Sequence, residues 1–152
     1  EKQIEMTYCA DERAVAMATE DDIHQILYNI CDNAVKFSPP GGKLRMSFVW
    51  IPAENGRRRK ASITVFNEGQ GIPPEDIPFV FERFYKSDKS RSLDKSGVGL
   101  GMFISKTIIE AHGETISVVS DYGKNCAFTF TLTKTESPAP KGRVGHGQGG
   151  NP

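Results

Sequence analysis

Residues 21–38, DDIHQILYNICDNAVKFS, decide how the rest of the chain is read. Ile23, Ile26, Leu27, Ile30, Cys31 and Ala34 recur at three- and four-residue spacing, which predicts a helix over 21–37 with one buried face. Thr19, Glu20, Asp21 and Asp22 supply its cap and first-turn acids, and Ser38-Pro39-Pro40-Gly41-Gly42 stops it. The opposite face is unusual. Gln25, Asn29, Asp32, Asn33 and Lys36 form one polar stripe along it. Two asparagines one turn apart offer amide oxygens to a hard cation, and a lysine one turn later offers a point charge to a phosphate. A solvated outer face would carry the same residue types. Mid-helix asparagine is a poor helix former, however, and a pair at this spacing needs a reason.

Strands are expected on both sides of this helix. Residues 3–8 and 13–18 predict a short antiparallel hairpin around Asp11-Glu12. Residues 43–51 and 61–66 predict a second pair joined through Asn55-Gly56, with the basic run Arg57 to Lys60 at a solvated tip. Val65-Phe66-Asn67-Glu68-Gly69-Gln70-Gly71-Ile72-Pro73 then runs from strand into a glycine-rich turn. Glycine there lets backbone approach a flat ligand or a phosphate. Asn67 at the strand end suits either a base edge or an ordinary Asx turn.

Residues 67–98 are poor in periodic structure apart from the apolar island 77–84, the pattern of a functional loop or lid. Gly97-Val98-Gly99-Leu100-Gly101 opens a second helix, expected over 99–112, whose apolar face is Leu100, Phe103, Ile104, Thr107, Ile108 and Ala111. Unhindered amides at a helix start make an anion site. The segment is neither a Walker motif, since no Gly-Lys-Ser/Thr follows, nor part of a βαβ unit. His112-Gly113 ends the helix, and strands near 115–120 and 126–133 flank a turn at Tyr122 to Asn125. From Ser137 the chain is rich in Pro and Gly, so a domain over 1–136 and a disordered tail over 137–152 are expected. The element order predicts an α+β sandwich, with two or three helices on one face of a mixed sheet.

Composition narrows the function. The chain has 152 residues, one domain's worth, with 19 basic and 19 acidic side chains and a formal net charge of zero. That balance removes the broad electrostatic case for nucleic-acid or anionic-membrane binding. No apolar run is long enough to span a bilayer, and EKQIEMTYCADER lacks a signal peptide's apolar core. Cys9, Cys31 and Cys126 form no CxxC pair and fit a reduced setting.

The segments DDIHQILYNICDNAVKFS, VFNEGQGIP, FVFERFYKSDKSRS and GVGLGMFISKTIIEAHGETISVVSDYGKNCAFTFTL resemble, in this order, the asparagine, first glycine, phenylalanine and second glycine boxes of sensor histidine kinases. The resemblance covers about residues 4–133. It implies the Bergerat fold shared with gyrase-type ATPases, Hsp90 and MutL: an α/β sandwich with a mostly antiparallel mixed sheet and a mobile ATP lid over about 85–98. It implies ATP and Mg²⁺ as cofactors. By this resemblance Asn33 is a magnesium ligand assisted by Asn29, Lys36 reaches a phosphate, and Phe37 packs near the adenine. Asn67 stands where an aspartate usually reads the adenine amino group, and Gly69, Gly71 and Ile72 shape the base pocket. Phe81, Arg83 and Phe84 anchor the lid, with Arg83 a phosphate contact and the fourth catalytic candidate beside Asn29, Asn33 and Lys36. Gly97, Val98, Gly99, Leu100 and Gly101 border the triphosphate.

Two further departures accompany Asn67. Glu114 replaces a glycine after His112-Gly113, expected as a surface change, and Asn125-Cys126 replaces Gly-Thr. Hydrolytic members carry glutamate where this chain has Asn29, and an amide cannot accept a proton from water. The acceptor must then be a better nucleophile than water, as a neutral imidazole is. His24, His112 and His146 all lack a phosphoacceptor context and read as solvated or capping residues. The resemblance therefore implies a separate dimerisation/phosphoacceptor histidine domain of the same protein, a homodimer formed through that domain, and a response regulator as partner. No nucleic-acid partner and no direct membrane insertion are expected; the implied setting is a cytoplasmic domain of a membrane-anchored bacterial sensor. A nucleotide-dependent interaction module, or an anti-sigma-type serine kinase, is the alternative.

Overall fold

The computed structural model describes residues 2–9, 18–53, 55, 59–86 and 99–134. Its strands are β1 (Glu5–Cys9), β2 (Lys43–Ile51), β3 (Lys60–Glu68), β4 (Ile116–Asp121) and β5 (Asn125–Thr133), in spatial order β1-β2-β3-β5-β4. Helices α1 (Glu20–Phe37) and α2 (Gly101–Ala111) and a 3-10 turn, Ile77–Phe79, complete the described elements. The second helix begins at Gly101, two residues later than its apolar pattern suggested.

Among the described residues every pairing is antiparallel except β1 with β2, which is parallel from Glu5 opposite Lys43 to Cys9 opposite Ser47. Parallel neighbours need a long crossover, and α1 lies in that connection. The expected hairpin of 3–8 with 13–18 has its second arm almost entirely outside the described residues, as do the tail 137–152 and lid residues 87–98. Apolar alternation shows that 3–8 is a strand but carries no information about its partner.

Helix α1 forms as its sequence dictates. The Thr19 hydroxyl accepts from the Asp22 amide at 3.1 Å, and three acids follow in the first turn. Ile26, Ile30 and Ala34, four apart, are buried against the sheet. The Ser38 hydroxyl and amide both return to the Ala34 carbonyl, at 2.6 and 3.0 Å. Burying a side chain such as Ile30 contributes roughly 1.5–3 kcal/mol.

Register explains why one sheet face is the core. Met46, Val65, Phe128 and Val118 lie in one row across the strands, and Phe48, Ile63, Phe130 and Ile116 in the next. Val65, Phe128 and Phe130 are buried among the α1 residues and Met102 and Ile109 of α2. The row nearest the end of β3 differs: Leu44, Asn67, Cys126 and Ser120 are aligned there, two of them polar. Polarity enters the helix-facing side at this end.

The opposite end holds a correction. Glu114, expected at the surface, is only 5% exposed. Its carboxylate accepts from Lys60 Nζ at 2.7 Å, from the Thr131 hydroxyl at 2.7 Å, and from the Thr133 hydroxyl. Burial raises its pKa, but hydrogen bonds from Lys60, Thr133 and Thr131 and the Lys60 charge outweigh that and hold it below the ordinary value. Lys60 accordingly begins β3 rather than ending a solvated tip; residues 56–58 lie outside the described set. His112 is a capping residue, as expected. Its Nδ1 lies 2.8 Å from the Ile108 carbonyl, and its Nε2 lies 3.5 Å from Asp22 at the start of α1.

Candidate functional site

A cleft of about 1420 Å³ opens at the polar end of the sheet, between α1, the turn after β3, the start of α2 and the β4–β5 turn. Ordinary small-ligand pockets hold roughly 300–1,000 Å³. Of the expected site residues, Asn29, Asn33, Lys36, Phe37, Asn67, Gly69, Gly71, Ile72, Gly99, Leu100 and Gly101 line it. Arg83 and Phe84 do not, and Gly97 and Val98 lie outside the described residues.

The α1 stripe is divided in its work. Asn29 donates both amide hydrogens to α2, to the Gly101 carbonyl at 3.0 Å and the Ser105 hydroxyl at 3.2 Å. Its oxygen accepts from Gln25 at 3.1 Å and keeps one lone pair. Asn29 is thus first a clasp between the helices. The side chain of Asn33, one turn on, makes no hydrogen bond to another described residue, and Asn33 lines the cleft. Lys36 lies at the cleft with its ammonium 2.7 Å from Asp32.

Glycines set the end of the cleft beside β3. Gly69 has φ +155°, and a Cβ there would stand 2.3 Å from the Phe37 carbonyl oxygen. Gly71 has φ +67°, and its Cβ would stand 2.4 Å from Ser120 Oγ and 2.6 Å from the Asn125 carbonyl oxygen. Only glycine permits either approach. The β4–β5 turn holds this loop: Gly69 N donates to the Lys124 carbonyl at 3.0 Å, Gly123 N to the Gln70 carbonyl at 2.6 Å, and Ile72 N to Ser120 Oγ at 2.8 Å. Gln70 Nε2 also donates to the Tyr122 hydroxyl at 3.0 Å.

Behind the loop sits Asn67, 3% exposed. Its Nδ2 donates to the Glu68 carbonyl at 3.1 Å, and its oxygen accepts nothing from the described residues. Asn67 lines the cleft, so that oxygen is open to water or a ligand there. Cys126 faces Asn67 across the strands, and burial pushes its thiol up to about 12. It is a neutral, unreactive wall.

On the lid side, Gly99 (φ +72°) packs against the backbone of Phe84 and Tyr85, and Phe84 N donates to the Gly99 carbonyl at 2.9 Å. This fixes the chain at Phe84 and Tyr85 to the segment leading into α2. Phe84 itself is exposed, with φ +59°. Arg83 lies outside the cleft, its guanidinium 4.5 Å from the Phe103 ring centroid on the outer side of α2.

Sequence reasoning missed Lys2, Gln70, Tyr122 and Ser105. Their partners are distant in sequence, and no spacing rule joins them to the site.

The arrangement is a glycine-led helix start, a glycine-walled pocket with an amide oxygen open to it, and an asparagine helix between them. The family described as histidine kinase-, DNA gyrase B- and HSP90-like ATPase matches residues 18–136. The chain belongs to this family. Its similar curated relatives include a sensor histidine kinase and a sensor protein. It is 42% identical over 117 residues to sensor histidine kinase WalK of Bacillus subtilis, covering 77% of this chain and 18% of that protein. It is 36% identical over 133 residues to sensor protein SrrB of Staphylococcus aureus, covering 88% and 22%. The chain therefore spans about a fifth of the length of these relatives. Among solved structures, the mycobacterial sensor histidine kinase MprB superposes with TM-score 0.70 at 29% identity, over 86% of this chain and 82% of that one. Full-length ShkA, solved in complex with AMPPNP, gives TM-score 0.70 at 25% identity, over 90% of this chain and 27% of that one. The expected α/β sandwich of this ATPase family is the observed fold, and an ATP-binding role follows from the family.

Proposed function

We propose that this chain is the catalytic ATP-binding unit of a two-component sensor histidine kinase. The γ-phosphorus–oxygen bond of ATP breaks, a phosphorus–nitrogen bond forms to the unprotonated nitrogen of a histidine imidazole on a separate dimeric domain, and ADP leaves as the other ring nitrogen gives up its proton. The phosphoryl group would then pass to an aspartate of a response regulator.

The observation that carries this reading is Asn29. Both of its amide hydrogens are donated to α2 and its oxygen already accepts from Gln25. No proton-accepting carboxylate stands at that place, so water lacks an activating base and a better nucleophile is required. Catalysis would then rest on positioning and charge neutralisation. Asn67 would accept from the adenine amino group, Phe37 would lie beside the base, and Gly99 to Gly101 would meet the phosphates at the α2 start.

Magnesium suits the donor set. Among the described residues no group of three His, Cys, Asp or Glu side chains could form a protein cage. Asn33, with an amide free of other described partners, and the remaining lone pair of Asn29 would hold an ion that takes its other oxygens from phosphates and water. Bound there, the ion would neutralise phosphate charge. Lys36 would shift from Asp32 toward a phosphate.

The test is transfer from ATP to a supplied phosphoacceptor domain. Asn33→Ala is expected to keep the circular dichroism spectrum and lose transfer, with the magnesium dependence of nucleotide binding. Unchanged transfer in a folded Asn33→Ala protein removes the metal assignment. Rapid ATP hydrolysis by the chain alone, without a phosphoacceptor, removes the kinase reading.

A further inference from the structure

The geometry points to Lys2 as a positioning residue of the nucleotide site, holding the last turn of α1 in place and cancelling its negative end. This rests on the ATP-binding reading above. Lys2 Nζ donates to the carbonyls of Lys36 at 2.6 Å, Ser38 at 3.0 Å and Val35 at 3.1 Å. An ammonium has three hydrogens, so three carbonyls saturate it.

The reason these carbonyls need it is in the sequence. In a continuing helix, the Val35 and Lys36 carbonyls would accept from the amides of residues 39 and 40. Both are proline and have no N–H. The carbonyl end of α1 is therefore short of donors, and it is also the negative end of the helix dipole. Lys2 supplies the missing hydrogens and a positive charge together. Backbone bonds hold it there: Gly41 N donates to the Lys2 carbonyl at 2.9 Å, and Glu5 N to the Gly42 carbonyl at 3.1 Å.

The turn so held belongs to the cleft, which Lys2, Lys36, Phe37 and Ser38 all line. The Phe37 carbonyl abuts Gly69 too closely for any Cβ, so displacing this turn displaces the base loop. Left without Lys2, the same carbonyls would turn negative partial charge toward a cleft that receives a polyphosphate. Lys2 thus acts on ATP through α1, its three ammonium hydrogens already given to carbonyls.

Lys2→Met keeps the aliphatic stem and removes the charge; Lys2→Arg keeps the charge. Calorimetric titration of ATP and of adenosine into the parent and both variants, with melting measured separately, tests the inference. Lys2→Met is expected to weaken ATP by about two- to fivefold, as a dipole-scale charge effect would. Adenosine should change less, and Lys2→Arg should recover most of the ATP affinity. ATP binding by Lys2→Met equal to the parent's, whatever its melting temperature, overturns the inference and leaves Lys2 a plain cap. Equal loss of ATP and adenosine without recovery in Lys2→Arg overturns it too, because the pocket would have collapsed. A parent that binds no ATP overturns the ATP reading itself, a result distinct from an indifferent Lys2→Met in a parent that binds.

Discussion

Under the proposed function, Asn67 would carry the base reading in one side chain. A neutral amide oxygen accepting from an adenine amino group is worth about 0.5–1.5 kcal/mol, and a carboxylate in its place roughly 1.5–3 kcal/mol. Asn67→Asp is therefore expected to keep or tighten ATP binding, by up to about tenfold. The substitution also costs stability. Asn67 Nδ2 donates to the Glu68 carbonyl, and a carboxylate would face that carbonyl without a hydrogen, a loss of about 1–3 kcal/mol. Asn67→Leu should weaken ATP while costing GTP, whose base carries an oxo group there, much less. Titrations with both nucleotides and separate melting curves distinguish these effects; equal loss of ATP and GTP in a folded Leu variant rules out base reading. The candidacy of Asn67 was legible because a strand runs straight from it into two glycines. Its 3% exposure and its neighbour Cys126 were not, since both depend on β5, almost sixty residues later.

Between elements, the decisive contact is the glycine turn after β3 seated on the β4–β5 turn. Two glycines with positive φ separate strain from collision. Gly123 has φ +92° and nothing within 4 Å of an added Cβ, so Gly123→Ala bears only backbone strain, on the order of 1–3 kcal/mol. Gly71→Ala adds collisions with Ser120 Oγ and the Asn125 carbonyl, and Ser120 Oγ is the acceptor for Ile72 N. Gly71→Ala is expected to melt earlier than Gly123→Ala and to lose nucleotide affinity, while Gly123→Ala binds as the parent does. Fluorescent-nucleotide titration and thermal melts of the two proteins check this; equal affinity would mean the turn can move off its seat freely. The same contrast marks what sequence reveals about elements. Period and caps gave α1 nearly residue by residue, because its signals are local. The parallel partner of β1 was hidden, since alternation in 3–8 fits either neighbour and only the crossover through α1 selects β2.

Across the whole molecule, the sheet separates two polar ends by an apolar middle. One end is the cleft; the other is the Glu114–Lys60 pair with Thr131 and Thr133. Layer order and buried face were legible, because both follow from periodicity and element order. This second polar end was not. Glu114 follows a helix-ending glycine in sequence, which marks a surface turn, and Lys60 lies 54 residues away. The pair gives the fold an acid-sensitive joint between the segment after α2 and strands β3 and β5. The folded pKa of Glu114 lies below its ordinary value of 4.5, so its contribution is fully present above that pH and is lost as pH falls through the folded pKa. Glu114→Gln keeps the shape but removes the charge opposite Lys60. At neutral pH it is expected to cost about 1–3 kcal/mol, less than a fully buried pair would, because the Lys60 side chain is 37% exposed and water can solvate it. Its stability should then decline less steeply than the parent's below about pH 4.5, because the group that would take up the proton is gone. ATP affinity at neutral pH should be unchanged, since none of these residues lines the cleft. Urea unfolding at a series of pH values, with nucleotide titration at pH 7, measures both. Parallel pH–stability curves for the two proteins would show that Glu114 is not the group whose protonation loosens the fold, and weakened ATP binding in Glu114→Gln would show that the two ends of the sheet are coupled.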